Sequence, residues 1–329
     1  MNFRERTLKD ILEDPMISEI APDAISKWDL LKEDFSNFTI AEIEHEKKWM
    51  NMDRGFEILF KAAASGRYYY NLYSEEERKA DPDKVGRNIV FLPSQDEKAA
   101  ERPFILLTPG GAFINVWSLT EGWPVASLFN DLGYNVFILT YRVSTDCAAV
   151  KAVADVARAF DIIREHRAEF NVDPDKYITC GFSAGGYLVC LWNTEKGYRA
   201  YGIPKPQACF PIYPVTSYRI LADQRVEEGG DKDEFVHRTL GCTLEEACNS
   251  AFEIPDHAEG FPPTAIFLAA EDELVDPEHS KRLAAALEKE GIPVYLEIGP
   301  TGGHGFADGS GMCMEGWPER AIRFYEEGN

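Results

Sequence analysis

The sequence predicts an α/β fold in which helices cover both faces of a mostly parallel central sheet. Apolar runs without polar alternation recur from about residue 68 onward, and longer amphipathic segments separate them. Strands that are apolar along their whole length are typical of a sheet buried on both faces, and intervening helices provide the crossovers that parallel strands need. The predicted strands are NIVFLP, PFILLTP, NVFILTYR, KYITCGF, ACFPIYP, TAIFLAA and VYLEIGP.

The predicted helices of this domain lie at about 118–132, 149–170, 184–195, 277–291 and 315–327. Residues 1–65 carry apolar side chains at helical spacing, with Pro15 and Pro22 as breaks, and are predicted to form a helical extension packed on the core. Residues 66–329 are predicted to form the main domain. The strand pattern lapses between Tyr213 and Pro262, which predicts an inserted lid at about 217–260.

Composition and charge restrict the partners of this chain of 329 residues. Its formal net charge of −22 disfavours nucleic acid and anionic membranes, and favours a neutral or cationic small ligand. The N-terminus lacks the apolar core of a secretory signal, and no long apolar run predicts a membrane helix. The seven cysteines are odd in number and form no CxxC pair, so we expect most of them to be reduced core residues of a cytoplasmic protein without a cysteine-type zinc site.

The segment GFSAGG, residues 181–186, is predicted to hold a nucleophilic serine. It joins the strand KYITC to the helical segment YLVCLW, and a strand-to-helix turn this tight presents Ser183 above the carboxyl end of the sheet. Gly181 and Gly185 fit the close approach of strand and helix. The alternative is a glycine-rich turn or phosphate loop, but the segment matches neither G-x-G-x-x-G nor the Gly-Lys-Ser/Thr of a P-loop.

A second glycine segment, PGGAF, follows the strand PFILLT and is a candidate oxyanion site. A serine attacking an ester creates a tetrahedral oxyanion, which preorganised backbone N–H groups stabilise. Gly110 and Gly111 carry no side chains that would shield their amides, and the amide of Ala184 lies at the start of the helix after the serine. A PGG segment by itself is usually an ordinary turn, and the serine downstream gives it this second interpretation.

The base and the acid are expected after the serine, in the order Ser, Asp or Glu, His. His304 lies in the glycine-rich loop PTGGHGF after a strand, whereas His279 lies in a helical run where we expect a solvated side chain. The acid competes among Glu271, Asp272, Glu273 and Asp276, which all follow TAIFLAA. Asp272 has the best position to accept a hydrogen bond from the imidazole, and Asp276 before a proline is typical of a helix N-cap.

Together these residues resemble the α/β-hydrolase superfamily, in particular small carboxylesterases of the acetyl-xylan and feruloyl-esterase-like and hormone-sensitive-lipase-like groups. TPGGAF, GYNVFILTYRV, GFSAGG, PPTAIFLAAEDELVDP and GGHGF occur in the family's order over residues 103–327. The resemblance implies the α/β-hydrolase fold, Ser183 as nucleophile, Asp272 as acid, His304 as base, and an oxyanion hole of Gly110, Gly111 and Ala184. Pro109, Ala112 and Tyr187 depart from the usual residues of these groups.

The expected activity is hydrolysis of short-chain acyl esters, acetyl above all, of a small or carbohydrate alcohol, without metal or cofactor. A serine peptidase of the prolyl-oligopeptidase type and a non-catalytic hydrolase-fold binding protein remain alternatives. The expected partner is a small-molecule ester such as an acylated sugar. Phe113, Trp117 and Tyr187 lie near the motifs and are candidates for the substrate pocket, although aromatic residues at such positions are more often core.

Overall fold

A computed structural model describes residues 2–20, 35–66, 68–223 and 232–328. Its strands are β1 Tyr69–Asn71, β2 Asn88–Leu92, β3 Phe104–Thr108, β4 Val136–Thr140, β5 Tyr177–Phe182, β6 Ala208–Ile212, β7 Thr264–Ala269 and β8 Val294–Gly299. They form one eight-stranded sheet in the order β1-β2-β4-β3-β5-β6-β7-β8. The pairs β1–β2 and β2–β4 are antiparallel, and all other neighbours pair parallel. The predicted fold class is confirmed.

The central strands are buried on both faces, as their composition predicts. Every residue of β3, β4, β5, β6 and β7 is buried. The edge strand β8 is only partly buried, because no strand pairs with its outer side among the residues that the structure describes. The parallel strands β3, β5, β7 and β8 end at the same edge of the sheet, and the loops that follow them meet there.

Helices connect the strands. The helices are α1 Leu8–Leu12, α2 Ile40–Lys47, α3 Met52–Ser65, α4 Glu75–Ala80, α5 Trp123–Asp131, α6 Ala148–Glu165, α7 Arg167–Phe170, α8 Ser183–Trp192, α9 Tyr218–Asp223, α10 Lys232–Leu240, α11 Leu244–Cys248, α12 Glu278–Lys289 and α13 Trp317–Glu327. α5 packs against α3 and α13, and α6 packs against α8 and α10. A π-helical turn, Ser118–Gly122, precedes α5.

Two short elements were not expected from the sequence. β1 adds an antiparallel edge strand beside β2, and α4 follows it with no buried residue. The signal for α4 was present, because Ser74 and Glu77 form a capping box in which each side chain bonds the other's backbone N–H. A helix without an apolar face shows no hydrophobic periodicity, so the capping box was the feature of the sequence that indicated α4.

The described part of the N-terminal region contains α1, α2 and α3, and its aromatic side chains contact α5. The rings of Phe3 and Phe60 lie 4.9 Å apart, and the ring of Phe56 lies 5.5 Å from that of Trp123. Of the two predicted breaks, Pro15 follows the end of α1 at Leu12, and Pro22 lies outside the described residues. Burial of these rings attaches the segment to the main domain through apolar contact.

Helices α9, α10 and α11 occupy the described part of the predicted lid region. Glu253, near the end of this region, forms hydrogen bonds with residues at its beginning. This buried carboxylate accepts hydrogen bonds from Ser217 Oγ at 2.6 Å and the Tyr218 N–H at 2.8 Å, and forms an ion pair with Arg282 on α12. No helix among the described residues has the length and apolar composition to cross a bilayer.

All seven cysteines are free thiols. The expectation that most of them belong to the core is wrong, because only Cys180, Cys190 and Cys209 are buried. Those three lie on β5, α8 and β6, where burial raises the pKa of the Cys180 and Cys190 thiols well above its usual value.

Candidate active site

Ser183 lies at the turn from β5 into α8 in a left-handed backbone conformation, with φ of 48°. A Cβ at Gly181 would come closer than 3.0 Å to the carbonyl of Gly185, and one at Gly185 would collide with the carbonyl of Thr108 on β3. Glycine is therefore required on both sides of the serine for a steric reason. The turn holds the hydroxyl of Ser183 at the carboxyl edge of the sheet, as predicted from GFSAGG.

The structure brings Ser183, His304 and Asp272 into one hydrogen-bonded chain. His304 Nε2 lies 3.0 Å from Ser183 Oγ, and His304 Nδ1 lies 2.7 Å from Asp272 Oδ2. Because an ionised carboxylate only accepts, the imidazole Nδ1–H donates to Asp272, which leaves Nε2 to accept the serine O–H. The Ser183 hydroxyl is thus in contact with an imidazole nitrogen that can accept its proton, and the Asp272 carboxylate orients that imidazole.

Asp272 is held by the loop that follows β7. Its Oδ1 accepts the backbone N–H groups of Leu274 at 3.0 Å and Val275 at 2.8 Å, while Oδ2 faces the imidazole. The competing Asp276 instead accepts the N–H of Glu278 at the start of α12. Of these two carboxylates, only Asp272 contacts His304.

Two of the three predicted oxyanion donors remain available. Ala184 is the second residue of α8, so its N–H has no acceptor within the helix, and the N–H of Gly111 forms no hydrogen bond with the part of the chain that the structure describes. The Gly110 N–H is different: it donates to Glu121 Oε2 at 2.6 Å. The inclusion of Gly110 among the oxyanion donors is therefore wrong, because a buried carboxylate already occupies its N–H.

Glu121 is an unexpected buried carboxyl group directly behind this loop. It accepts the Gly110 N–H through Oε2 and the hydroxyl of Tyr213 through Oε1 at 2.8 Å, and burial raises its pKa above the usual value. The Tyr213 hydroxyl also accepts the N–H of Ala307, three residues after His304. Glu121 and Tyr213 thus link the loop after β3 to the loop that carries His304.

A cavity of about 290 Å³ opens beside Ser183 and His304. Gly111, Trp117, Trp49 and Leu274 are among its walls. Trp117 was predicted as a pocket residue and lies there. The sequence does not predict Trp49 and Leu274 as pocket residues, because no local pattern shows that apolar side chains far apart in the chain lie at the same site.

The other two aromatic candidates do not line this cavity, so their assignment to the pocket is wrong. Phe113 is 5% exposed and packs edge-on against the ring of Tyr187, at 6.2 Å. Tyr187 is 1% exposed, and its hydroxyl donates to the carbonyl of Phe252. Both are core side chains beneath the site.

His279 also differs from expectation, because it is buried rather than solvated. Its Nδ1 accepts the backbone N–H groups of Thr216 and Ser217, both at 3.1 Å, and burial lowers its pKa to about 4. The imidazole is therefore neutral near pH 7 and supports the loop after β6. No group of three or more His, Cys, Asp or Glu side chains in the described ranges is arranged to hold a metal ion.

The comparisons with known proteins agree with this fold. The BD-FAE family model matches residues 90–287. Endo-1,4-beta-xylanase B of Butyrivibrio fibrisolvens is 26% identical over 262 residues, which cover 76% of this chain and 40% of that protein. Acetylxylan esterase of Xylanibacter ruminicola is 26% identical over 231 residues, which cover 69% of this chain and 45% of the relative. The chain thus spans less than half the length of these two relatives.

A solved structure, the acetyl ester-xyloside bifunctional hydrolase from Caldicellulosiruptor lactoaceticus, superposes with a TM-score of 0.63 at 24% identity, over 79% of this chain and 95% of that chain. An α/β hydrolase from a Medee basin deep-sea metagenome library gives 0.54 at 22% identity, over 74% of this chain and 93% of that one. At these identities the likeness establishes the fold alone. The predicted resemblance to α/β-hydrolase carboxylesterases is confirmed, and the family match over residues 90–287 shows that the chain belongs to the BD-FAE family.

Proposed function

We propose that this protein is a serine carboxylesterase that hydrolyses short-chain acyl esters, acetyl esters in particular, of small or carbohydrate alcohols. The observation that carries the proposal is the hydrogen-bonded chain from Ser183 through His304 to Asp272, next to the available amides of Gly111 and Ala184. Relatives named acetylxylan esterase and esterase support the reaction class.

The proposed reaction proceeds through an acyl-enzyme. His304 Nε2 takes the proton of Ser183 as its oxygen attacks the ester carbonyl, and the N–H groups of Gly111 and Ala184 stabilise the oxyanion. His304 then protonates the departing alcohol. Water repeats the sequence on the acyl-enzyme, which releases the acid and restores the serine. Asp272 keeps the proton on Nδ1 and stabilises the imidazolium that forms.

The charge of the site favours uncharged substrates. His304 and Glu121 are the titratable side chains of the cavity wall, and no lysine or arginine contributes to it among the residues that the structure describes. An anionic acyl or alcohol group would find no cation there and would approach a molecule of net charge −22. Neutral acetyl esters meet neither penalty.

The decisive experiment is Ser183→Ala, assayed on short acyl esters. We expect kcat/KM to fall by roughly 10⁴-fold or more, because the nucleophile of the triad is lost. Ser65→Ala, an exposed serine near the end of α3, is the matched control and should retain wild-type turnover. Unchanged turnover in Ser183→Ala would reject the assignment.

A substrate panel refines the proposal. Acetyl, butyryl, octanoyl and feruloyl esters, run beside acetylated xylo-oligosaccharides, should show highest kcat/KM for acetyl. A proline-containing anilide tests the peptidase alternative, and we expect no cleavage of it. Preference for octanoyl over acetyl esters would contradict the proposed acyl specificity.

A further inference from the structure

The cavity beside Ser183 has an aromatic corner built from two distant parts of the chain. The indole rings of Trp49 and Trp117 meet edge to face, with centroids 5.5 Å apart and planes inclined by 71°. Both side chains line the cavity that contains Ser183 and His304. Both remain partly exposed, unlike the core aromatic residues behind them.

Trp49 belongs to the N-terminal segment, outside the residues that match the family model. Two contacts hold it over the site. Its ring packs edge-on against Phe35 at 6.0 Å, and Asn51, two residues later, donates from Nδ2 to the buried Asp308 and to Ser310. Asp308 follows His304 in the same loop. The N-terminal segment is thus attached to the loop that carries the base.

Left-handed residues on either side of Trp49 produce the turn that presents it. Lys48 has φ of 60° and Asn51 has φ of 55°. Non-glycine residues adopt this conformation at a cost that the surrounding contacts must offset. The strained turn and the two contacts together place an indole at the mouth of the cavity rather than in the core.

The position of the corner selects one part of the substrate. In the proposed reaction the acyl carbonyl must lie beside Ser183 and the amides of Gly111 and Ala184. The partly exposed indoles and Leu274, which is 71% exposed, form the rim. In the acetyl esters proposed above the acyl group is only a methyl carbonyl, so the alcohol is the part large enough to reach the rim, and we assign the corner to the alcohol side.

The chemistry of the corner fits a pyranose ring. One face of a pyranose carries C–H groups, which pack on an indole face, while its hydroxyl groups point outward and remain free for hydrogen bonds. Thr120, which carries a hydroxyl group, also lines the cavity. The wall offers no cation from the described residues, which disfavours a uronic acid or sugar phosphate at this position.

We propose that Trp49 and Trp117 form a binding subsite for a neutral pyranose ring on the alcohol side of the scissile ester. The proposal rests on the esterase function proposed above and adds that the N-terminal segment determines specificity. Trp49 binds the sugar and takes no part in the chemistry at the carbonyl. The indole should therefore affect KM for sugar esters and leave simple alkyl esters unaffected.

The test compares two esters on the full chain: a monoacetylated methyl β-D-xylopyranoside and ethyl acetate, both followed by acid release. We expect Trp49→Ala to lower kcat/KM for the xyloside about tenfold, which corresponds to about 1.4 kcal/mol, through KM. Turnover of ethyl acetate should change by less than about twofold. Trp49→Phe, which keeps an aromatic face, should recover most of the loss. Tyr201→Ala removes an exposed ring that stacks on Trp192 away from the cavity, and should behave as wild type on both esters.

Equal loss on both esters, or no loss on the xyloside, overturns the proposal. A second measurement is independent of turnover: saturation-transfer NMR with methyl β-D-xylopyranoside on Ser183→Ala and on Ser183→Ala/Trp49→Ala. We expect the ring-proton signal in the first protein and its loss in the second, whereas a persistent signal in both, or none in either, contradicts the subsite. Absence of any ester hydrolysis by the wild type would reject the esterase function separately.

Discussion

At the scale of single residues, backbone strain is concentrated around Ser183. Non-glycine residues with positive φ occur in four of the loops that reach the site: Ala112 and Phe113 after β3, Ser183 after β5, Tyr213 after β6 and Ala307 after β8. Each such conformation costs about 1 to 3 kcal/mol and persists only where neighbouring contacts determine it. The Tyr213 hydroxyl and the Ala307 N–H form one of these contacts. Contacts of this kind, which offset the strain, hold the loops in the geometry that the proposed reaction requires.

The role of Asp272 can be separated from that of its neighbours by Asp272→Asn. The amide retains the size of the carboxylate but neither accepts from His304 Nδ1 in the same way nor stabilises an imidazolium, so kcat should fall by about 10⁴-fold. Asp276→Asn is the matched control. Its carboxylate caps α12 without touching His304, and the variant should retain kcat within about twofold. Similar losses in both variants would contradict the assignment of the acid.

At the scale of elements, the contact between β3 and α8 determines the geometry of the elbow. Thr108 Oγ1, at the end of β3, donates to the carbonyl of Gly185 at 2.9 Å, and the backbone of α8 lies against the Thr108 and Pro109 carbonyls. This approach positions the Gly110–Gly111 turn beside Ser183. A side chain between the two elements would separate them.

Gly185→Ala should therefore be strongly destabilising. Its Cβ would meet the backbone of Thr108 and Pro109 closer than 3.0 Å, so β3 or α8 must shift, at a cost of about 3 kcal/mol or more. We expect a lower urea midpoint and a reduced kcat, because the amides proposed to bind the oxyanion, those of Gly111 and Ala184, move with the strand and the helix. Gly328→Ala near the C-terminus, where φ is −88°, is the control and should unfold as wild type. An unchanged midpoint in Gly185→Ala would contradict this packing.

The loop after β6 depends on a neutral His279, which makes the stability of the fold sensitive to acid. Burial lowers the pKa of this imidazole to about 4, and Arg282 acts in the same direction, against Asp276 and Asp272. The unfolded chain binds the proton near pH 6.5. The contribution of His279 to the free energy of unfolding is therefore fully present above about pH 6.5. It is lost as the pH falls toward 4, by about 3 kcal/mol in total.

His279→Asn tests this contribution, because its side-chain oxygen can still accept the two N–H groups of Thr216 and Ser217. We expect the variant to lose about 3 kcal/mol less stability than wild type between pH 6.5 and 4, measured by urea unfolding at each pH. His45→Asn, at a side chain that is 80% exposed, serves as the control. Parallel pH profiles for wild type and His279→Asn would exclude the buried imidazole as the acid-sensitive group.

At the scale of the whole molecule, the N-terminal segment and the hydrolase domain meet at the site. Asn51 contacts Asp308 and Ser310, and Trp49 contacts Trp117. The loop that carries His304 and the turn after β3 therefore share a neighbour in the N-terminal segment. Burial raises the pKa of Asp308, and the Asn51 side chain opposes that shift. A change in how the segment packs would therefore reach the cavity directly.

The chain has a formal net charge of −22, and the repulsion among its carboxylates should oppose the compact folded state. Raising NaCl from about 10 mM to 150 mM shortens the Debye length from about 30 Å to about 8 Å and screens the repulsion. We expect Tm at pH 7.5 to rise by about 2 to 4 °C, measured by calorimetry. An equal osmolality of uncharged solute is the control, and a Tm that falls with salt would contradict a dominant self-repulsion.

The sequence by itself determined the type and order of the main strands, the elbow, and the candidates Ser183, Asp272 and His304. These follow from local physics: unbroken apolar runs mark buried strands, and a glycine-flanked serine between strand and helix permits only a tight turn. The tertiary structure decided which backbone N–H groups are available to a ligand and which side chains line the cavity. The Gly110 N–H donates a hydrogen bond to Glu121, the side chain of Tyr187 is buried in the core, and Trp49 lines the cavity. Burial and hydrogen-bond pairing depend on partners distant in the chain, and no local pattern records them.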